Sequence, residues 1–364
     1  MGWGPSGSPG SGVVSDGVER EGAMSEDEAG ARSARHPTMA DVATHVGVSR
    51  QLVSLVLGER PGPSARTRER VLRAAEELGY QADTAARLLR RARSRQVGVL
   101  FGMGYPMDAH LVEALYPATA ELGYGVVLSA MASTRSEREA IDELMGLRCE
   151  ALLLIGLSAE APADLARVAE RVPVVEIGQR TGAEGTDSVR TADAAGVRQA
   201  VEHLVRLGHR AIVHVDGGGL PGADERARGY AEAMREHGLD DHVEVLTGDY
   251  SEEAGARAAR RLLARDSLPT AVVAANDLCA FGLLATLVRA GVGVPGDVSV
   301  VGYDDSRTAQ LSFLRLTSVR QDAENMARLA VRSAAERLDG GRTRSRHLLL
   351  EPSLTVRDST APPR

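Results

Sequence analysis

The chain contains no lysine: all 43 basic residues are arginine, a bias that fits a GC-rich genome and its Arg codons better than a functional demand. Cysteine is almost as scarce. Cys149 and Cys279 lie far apart, and neither has the Cys-x-x-Cys or Cys/His spacing of a zinc site, so a disulfide framework or structural metal has no support. Aromatics make up 3% of the residues, leaving few rings for stacking on a ligand. Apolar runs approaching the roughly 20 residues of a membrane helix are missing, and MGWGPSGSPGSGVVSDGVER lacks the apolar centre of a signal peptide. Together these absences point to a cytoplasmic chain with no metal, cofactor or membrane partner.

What is present supports a folded protein of two or three domains, since 364 residues with 43% hydrophobic content can bury real cores. Residues 1–37 are rich in Gly, Ser, Pro and Glu and are expected to be disordered. Glu19 to Gly22 can be encoded by a purine-rich, ribosome-binding-like stretch just ahead of Met24, which makes Met24 an alternative start to Met1. The net charge of -7 is unevenly distributed. Residues 36–95 carry eleven Arg against six acids, a balance of +5, which leaves -12 on the remainder. Only that N-terminal segment suits a polyanion.

Within it, TMADVATHVGVSRQLVSLVL, residues 38–57, reads as two helices about a glycine turn. Thr38 caps the first, with Asp41 completing a capping-box pattern, and Met39, Val42, Ala43 and Val46 form its apolar stripe. Gly47 stops it, and Ser49 caps the second. There Val53 and Val56 face inward while Arg50, Gln51, Ser54 and Leu55 face out. A third helix is predicted from Ser64 to Leu78, stopped by Gly79. This is a helix-turn-helix head over residues 38–80. Arg50 and Gln51 stand where a recognition helix meets base edges, Arg matching guanine and Gln adenine. Residues 81–95, QADTAARLLRRARSR, form a linker whose leucine pair among arginines has the composition of a minor-groove wedge.

From residue 96 to 364 short apolar runs alternate with amphipathic helices. The strand candidates are 97–101, 125–130, 151–156, 172–178, 211–216, 243–248, 270–276 and 298–304; helices are predicted over 109–122, 194–207, 223–237 and 252–264. Strands apolar on both faces with helices between them imply parallel sheets covered on each side, and so many units imply two sheets. Ligands in this architecture bind at the carboxyl ends of the strands.

The segments DVATHVGVSRQLVSLVL, SARTRERVLRAAEELGY and AARLL, then VEHLVRLGHRAIVHV, ERARGY, AANDLCAFGLL, GVGVPGDVSVVGYDD, LTSVRQD and LTVRDST, resemble in order the lactose-repressor type of bacterial regulator, the LacI/GalR family. The resemblance implies an α/β fold: a three-helix helix-turn-helix head on a two-lobed core like that of periplasmic binding proteins. It places the first lobe at about 96–190 plus 320–348 and the second at about 191–318 plus 349–360. The implied function is that of a ligand-responsive repressor, a homodimer on a near-palindromic double-stranded DNA operator, controlled by a small polar effector, a carbohydrate first. It implies DNA contacts from Thr38, Ser49, Arg50, Gln51, Ser54, Leu55 and Arg87, with Leu89 as the minor-groove lever. Leu55 departs from the Arg that many members carry, and Ala82-Asp83 from the usual Pro-Asn. The implied effector residues are Arg226, Asn276, Asp304 and Gln321, to which the ring of Tyr105 in the loop 102–108 is added by position. Other readings remain beside these. Arg226 can pair with an acid near Glu225, and Asn276 or Asp304 can cap the next helix.

Three alternatives weigh against this reading: an extracytoplasmic solute-binding protein, which would need a signal peptide and no head; a nucleoside- or purine-responsive regulator; and an enzyme, for which His214 and Asp216 lack a Ser or Cys partner. Without a heptad coil after LTVRDST, a dimer is the expected assembly.

Overall fold

A computed structural model describes residues 37–58, 60–80, 93–132, 134–157 and 164–364. The expected disorder of the N-terminal extension, and the linker residues Ala82, Asp83, Arg87 and Leu89, fall outside the described residues, apart from Pro37 and residues 93–95 of those segments. The chain divides into two units, residues 1–90 and 91–364.

In the first unit α1 (Met39–Val46), α2 (Arg50–Leu57) and α3 (Ala65–Glu77) enclose one small core of Val42, Ala43, Val46, Val53, Val56, Val71, Ala74 and Ala75. Every start signal in the sequence is used. Thr38 and Asp41 form the reciprocal capping box, and Ser49 and Ser64 accept the backbone N–H of Leu52 and Thr67. Gly47 takes the left-handed φ of 71° that turns α1 into α2.

The second unit holds two six-stranded sheets. The first gathers β1 (Gln96–Gly102), β2 (Gly125–Met131), β3 (Ala151–Ile155), β4 (Val174–Ile177), β5 (Asp187–Thr191) and β11 (His347–Leu350) in the order β11-β5-β4-β3-β1-β2, all parallel. The second orders β6 (Ile212–Val215), β7 (Glu244–Leu246), β8 (Ala271–Ala274), β9 (Ser299–Asp304), β10 (Thr317–Arg320) and β12 (Ser353–Thr355) as β12-β10-β9-β8-β6-β7, with only β12 antiparallel. Both sheets are covered on both faces, which is why their central strands lack polar alternation. In the first, Leu153 and Ile155 pack under α4 (Pro106–Glu121) and α11 (Ala323–Leu338), while Leu152 and Leu154 pack under α5 (Glu137–Gly146) and α6 (Leu165–Ala169). The second sheet lies between α7 (Asp193–Arg206) with α8 (Ala223–Glu236) and α9 (Glu252–Leu263) with α10 (Asp277–Arg289).

All eight predicted strands are present. β5, β10, β11 and β12 are additional, and short polar sequences such as DSVRT and TSVR gave no apolar run to announce them. α4 begins at Pro106 rather than Ala109, because proline is well suited to a first helical position. Asp108 therefore lies in its first turn and not in a loop. The chain crosses between sheets three times, from β5 to α7, from β10 to α11 and from β11 to β12.

Candidate functional site

On the head, Arg50, Gln51 and Ser54 are exposed along α2 and Leu55 is half-buried beside the inward Val56. The caps limit what two other predicted contacts can do. The Thr38 hydroxyl donates to Asp41 Oδ2 at 2.7 Å, so it is spent locally. Ser49 uses an oxygen lone pair on Leu52 N–H and keeps its own proton for an acceptor such as phosphate. The basic balance is also partly structural. Arg68 donates to the carbonyls of Val56 and Arg60, Arg70 to that of Val46, and Arg73 pairs with Glu69. Charge counting alone had assigned these arginines to the polyanion.

In the second unit the polar residues converge where strands of both sheets end. Arg226, on α8, is buried and donates from Nε to Asp193 Oδ1 at 2.8 Å and from Nη1 to the Ala275 carbonyl at 2.6 Å; Nη2 lies 3.9 Å from Asp304 Oδ1. Its partner is therefore Asp193, at the first crossing between sheets, while Glu225 pairs with Arg190. The guanidinium stands 3.7 Å from the ring centre of Tyr303 and 5.1 Å from that of Tyr250. Burial opposes its charge, but Tyr250, Asp193, Tyr303 and Asp304 around it hold its affinity for the proton well above the usual value.

Asp304 ends β9 with a φ of 106°, and Asp305 follows with 52°; two consecutive non-glycine residues in this region mark a strained loop. The loop is held by Asp277, whose carboxylate accepts Ser306 N–H at 2.7 Å and the Ser318 hydroxyl at 2.5 Å. Asp304 Oδ1 accepts Gln321 Nε2 at 2.7 Å, and Gln321 Oε1 accepts the Thr191 hydroxyl at 2.8 Å. Gln321 thus ties the first two crossings to the β9 end. Burial, and after it the charge of Asp193, raise Asp304, whereas Arg226 and Gln321 pull it down.

Asn276 caps α10, the alternative role noted for it. Its Oδ1 accepts Cys279 N–H at 2.8 Å and its Nδ2 donates to the Tyr250 carbonyl at 3.1 Å, leaving one N–H uncommitted. Tyr105, at the start of α4, meets Tyr250 edge to face with ring centres 6.1 Å apart, and the two pack with Leu220, Ala223 and Ala275. In the turn Gly217-Gly218-Gly219 only the first glycine is demanded by this cluster: a Cβ on Gly217 would lie 2.3 Å from the Tyr250 ring. His214 is not a partner of Asp216. Its Nδ1 is bonded to the Val273 carbonyl at 2.9 Å, its ring stacks on Tyr230, and burial pushes it down to about 4.

The structure therefore brings Tyr105, Arg226, Asn276, Asp304 and Gln321 to one edge, with Asp108 of the segment 102–108 at the end of β1, and adds three residues that sequence reasoning did not select: Asp193, Tyr250 and Tyr303. Asp193 was hidden because β5 was. Groups of three or more His, Cys, Asp or Glu arranged to hold a metal ion are absent among the described residues, and no helix there is long and apolar enough to cross a membrane.

Residues 38–83 match the model of bacterial regulatory proteins of the lacI family, and residues 201–360 match the periplasmic binding protein-like domain. The HTH-type transcriptional regulator CelR of Thermobifida fusca is 35% identical over 335 residues, which are 89% of this chain and 98% of that protein. The chain belongs to the LacI family of bacterial transcriptional regulators. Solved members share its architecture: a CelR–cellobiose complex is 33% identical with a TM-score of 0.66, covering 89% of this chain and all of that one. The lac repressor dimer bound to operator and the anti-inducer ONPF is 28% identical with a TM-score of 0.75, covering 90% and 100%. This LacI-family chain is accordingly a ligand-responsive, DNA-binding regulator, with the lacI-family match on residues 38–83 and the periplasmic binding protein-like match on residues 201–360.

Proposed function

We propose that this regulator is a repressor that binds a near-palindromic operator as a homodimer and changes its operator affinity when a carbohydrate enters the cleft formed by Tyr105, Arg226, Asn276, Asp304 and Gln321. Its base contacts come from Arg50 and Gln51, with Ser54 and Leu55 flanking them and Ser49 and Arg87 on phosphate. Leu89 is assigned to the minor groove. The observation that carries the carbohydrate assignment is the chain of buried hydrogen bonds from Asp193 through Arg226, and from Asp304 through Gln321 to Thr191, beside the paired rings of Tyr105 and Tyr250. Polyhydroxylated ligands need such fixed acceptors and donors with an aromatic wall. A ligand that fits the two DNA-affinity states differently must shift operator binding by the same factor.

Operator fragments recovered by selection from random duplex DNA, titrated by fluorescence anisotropy with and without cellobiose, maltose, ribose and adenosine, test the reading. A carbohydrate that shifts the midpoint supports it. A response to adenosine alone moves the assignment to nucleosides, and a selected site without two-fold symmetry removes the homodimer.

A further inference from the structure

We propose that the amino edge of the first sheet is a second DNA-contacting surface, on which Arg344 and Arg148 take backbone phosphates independently of sequence.

This edge stands apart in a chain that is acidic outside residues 36–95. The segments leading into its six strands, residues 93–95, 123–124, 147–150, 170–173, 182–186 and 339–346, carry seven Arg against four acids, a balance of +3. Two of those acids are spent, since Arg93 pairs with both Glu150 and Asp339, and the Tyr124 hydroxyl donates to Asp339 at 2.8 Å. The other two, Glu170 and Glu184, are exposed.

Arg344 lies in a loop built to hold its shape. The fully buried Asp187, at the start of β5, accepts both Nη groups of Arg342 and, at 2.8 Å, the backbone N–H of Arg346. Arg342 also donates to the Ser333 carbonyl at 2.9 Å, and Gly341 turns the chain with a φ of 67°. One carboxylate thus pins the loop at both ends, around an open concavity of about 450 Å³ lined by residues 341–346. Between the pins Thr343, Arg344 and Ser345 are exposed, and their side chains have no partner among the described residues. Two hydroxyls flanking a guanidinium are a donor set for phosphate, and a pinned backbone lowers the ordering cost of binding it. Arg148, exposed just ahead of β3, likewise has no side-chain partner among the described residues.

Connectivity brings DNA toward this edge. The chain arriving from the head joins β1 here, where the Ser94 hydroxyl donates to the Arg148 carbonyl at 2.7 Å and Arg93 pairs with Asp339 at the root of the 339–346 loop. The segment between Tyr80 and Arg93 spans at most about 45 Å even when fully extended. A duplex held by the head is therefore tethered near two arginines that no carboxylate neutralises, and each phosphate they take releases about one counterion.

The test titrates full-length protein by fluorescence anisotropy against a selected operator carried in a longer duplex, over a series of salt concentrations. Arg344→Ala and Arg148→Ala should each reduce the slope of log Kd against log salt by about one per bound subunit and weaken binding at low salt. Arg344→Lys, which keeps the charge, should restore most of the slope. Arg210→Ala, which removes an exposed arginine ahead of β6 in the second sheet, should leave it unchanged. All four side chains are exposed, and melting temperatures equal to wild type establish that the variants fold. An unaltered slope in both Arg344→Ala and Arg148→Ala overturns the inference while leaving DNA binding by the head intact. A slope that falls as far in Arg210→Ala assigns the effect to net charge and overturns it too.

Discussion

Arg226→Met offers the sharpest test of how the cleft is held together. Methionine keeps most of the stem at the same place on α8, but the charge and two hydrogen bonds at 2.8 and 2.6 Å disappear. Asp193 and Asp304 are then left buried with no cation, and stranding one side of a buried ion pair costs about 3–5 kcal/mol. At about 2 °C per kcal/mol for a core of this size, the melting transition of residues 91–364 should fall by roughly 6–10 °C. The sign of its pH dependence is fixed too. Arg226 pulls Asp304 down, so its loss lets the carboxyl rise further; a raised folded-state carboxyl favours the fold at low pH and costs stability as pH increases. The deficit should therefore be larger at pH 8 than at pH 5. A double-mutant cycle with Asp193→Asn isolates the pair, and the combined variant should recover about 2 kcal/mol relative to the sum of the single losses. Differential scanning calorimetry of the four proteins provides the numbers. Additive effects within 0.5 kcal/mol, taken as roughly the error of independent sites, would refute the claim that these charges hold one another.

Further outcomes can be checked in parallel. Arg50→Ala should relax preference at one position in each half-site, at about 1–3 kcal/mol of lost discrimination, and a randomised-operator selection that returns the wild-type motif would exclude it from base contact. Gly282→Ala should destabilise the second sheet's unit by several kcal/mol, because the added Cβ would meet the Glu252 carbonyl where α9 and α10 cross; a melting temperature equal to wild type would contradict that packing. His214→Gln should flatten the acid limb of the stability profile. Histidine held down to about 4 from 6.5 loses up to about 3 kcal/mol of stabilisation as pH falls across that interval, so urea midpoints of wild type and variant should diverge there in the variant's favour.

Most of the architecture was written in the apolar pattern. Runs such as ALLLI and SVVGYD are buried on both faces, and burial on both faces is what a parallel sheet between helix layers demands. Two of the four strands that escaped notice are held by other means. β5, DSVRT, contains the fully buried Asp187, which pairs with Arg342 and accepts the Arg346 N–H from a segment more than 150 residues away. β12 has three residues at a sheet edge and an antiparallel partner. Neither a long-range ion pair nor an edge register leaves a local periodic trace. The helix starts in the head, by contrast, are local chemistry, and Thr38, Ser49 and Ser64 each perform the cap that their sequence position implies.

The same distinction explains what was and was not legible in the cleft. Arg226, Asn276, Asp304 and Gln321 were found through motifs, yet motifs assign each residue singly, and the structure shows them bonded into one another. Asn276 spends its oxygen on Cys279 and one N–H on Tyr250; Gln321 spends its amide on Asp304 and Thr191; Arg226 spends two nitrogens on Asp193 and Ala275. A ligand entering such a set competes with bonds already made, so its affinity depends on how far each bond must lengthen to admit it. Since Asp193 and Gln321 sit at the crossings between the two sheets, any lengthening is felt by the segments that join the lobes. On the proposed reading, a ligand in the cleft would have an energetic hold on lobe geometry through the residues it touches, and the coupling between Asp193 and Arg226 measured by the cycle above would bear on how strong that hold is.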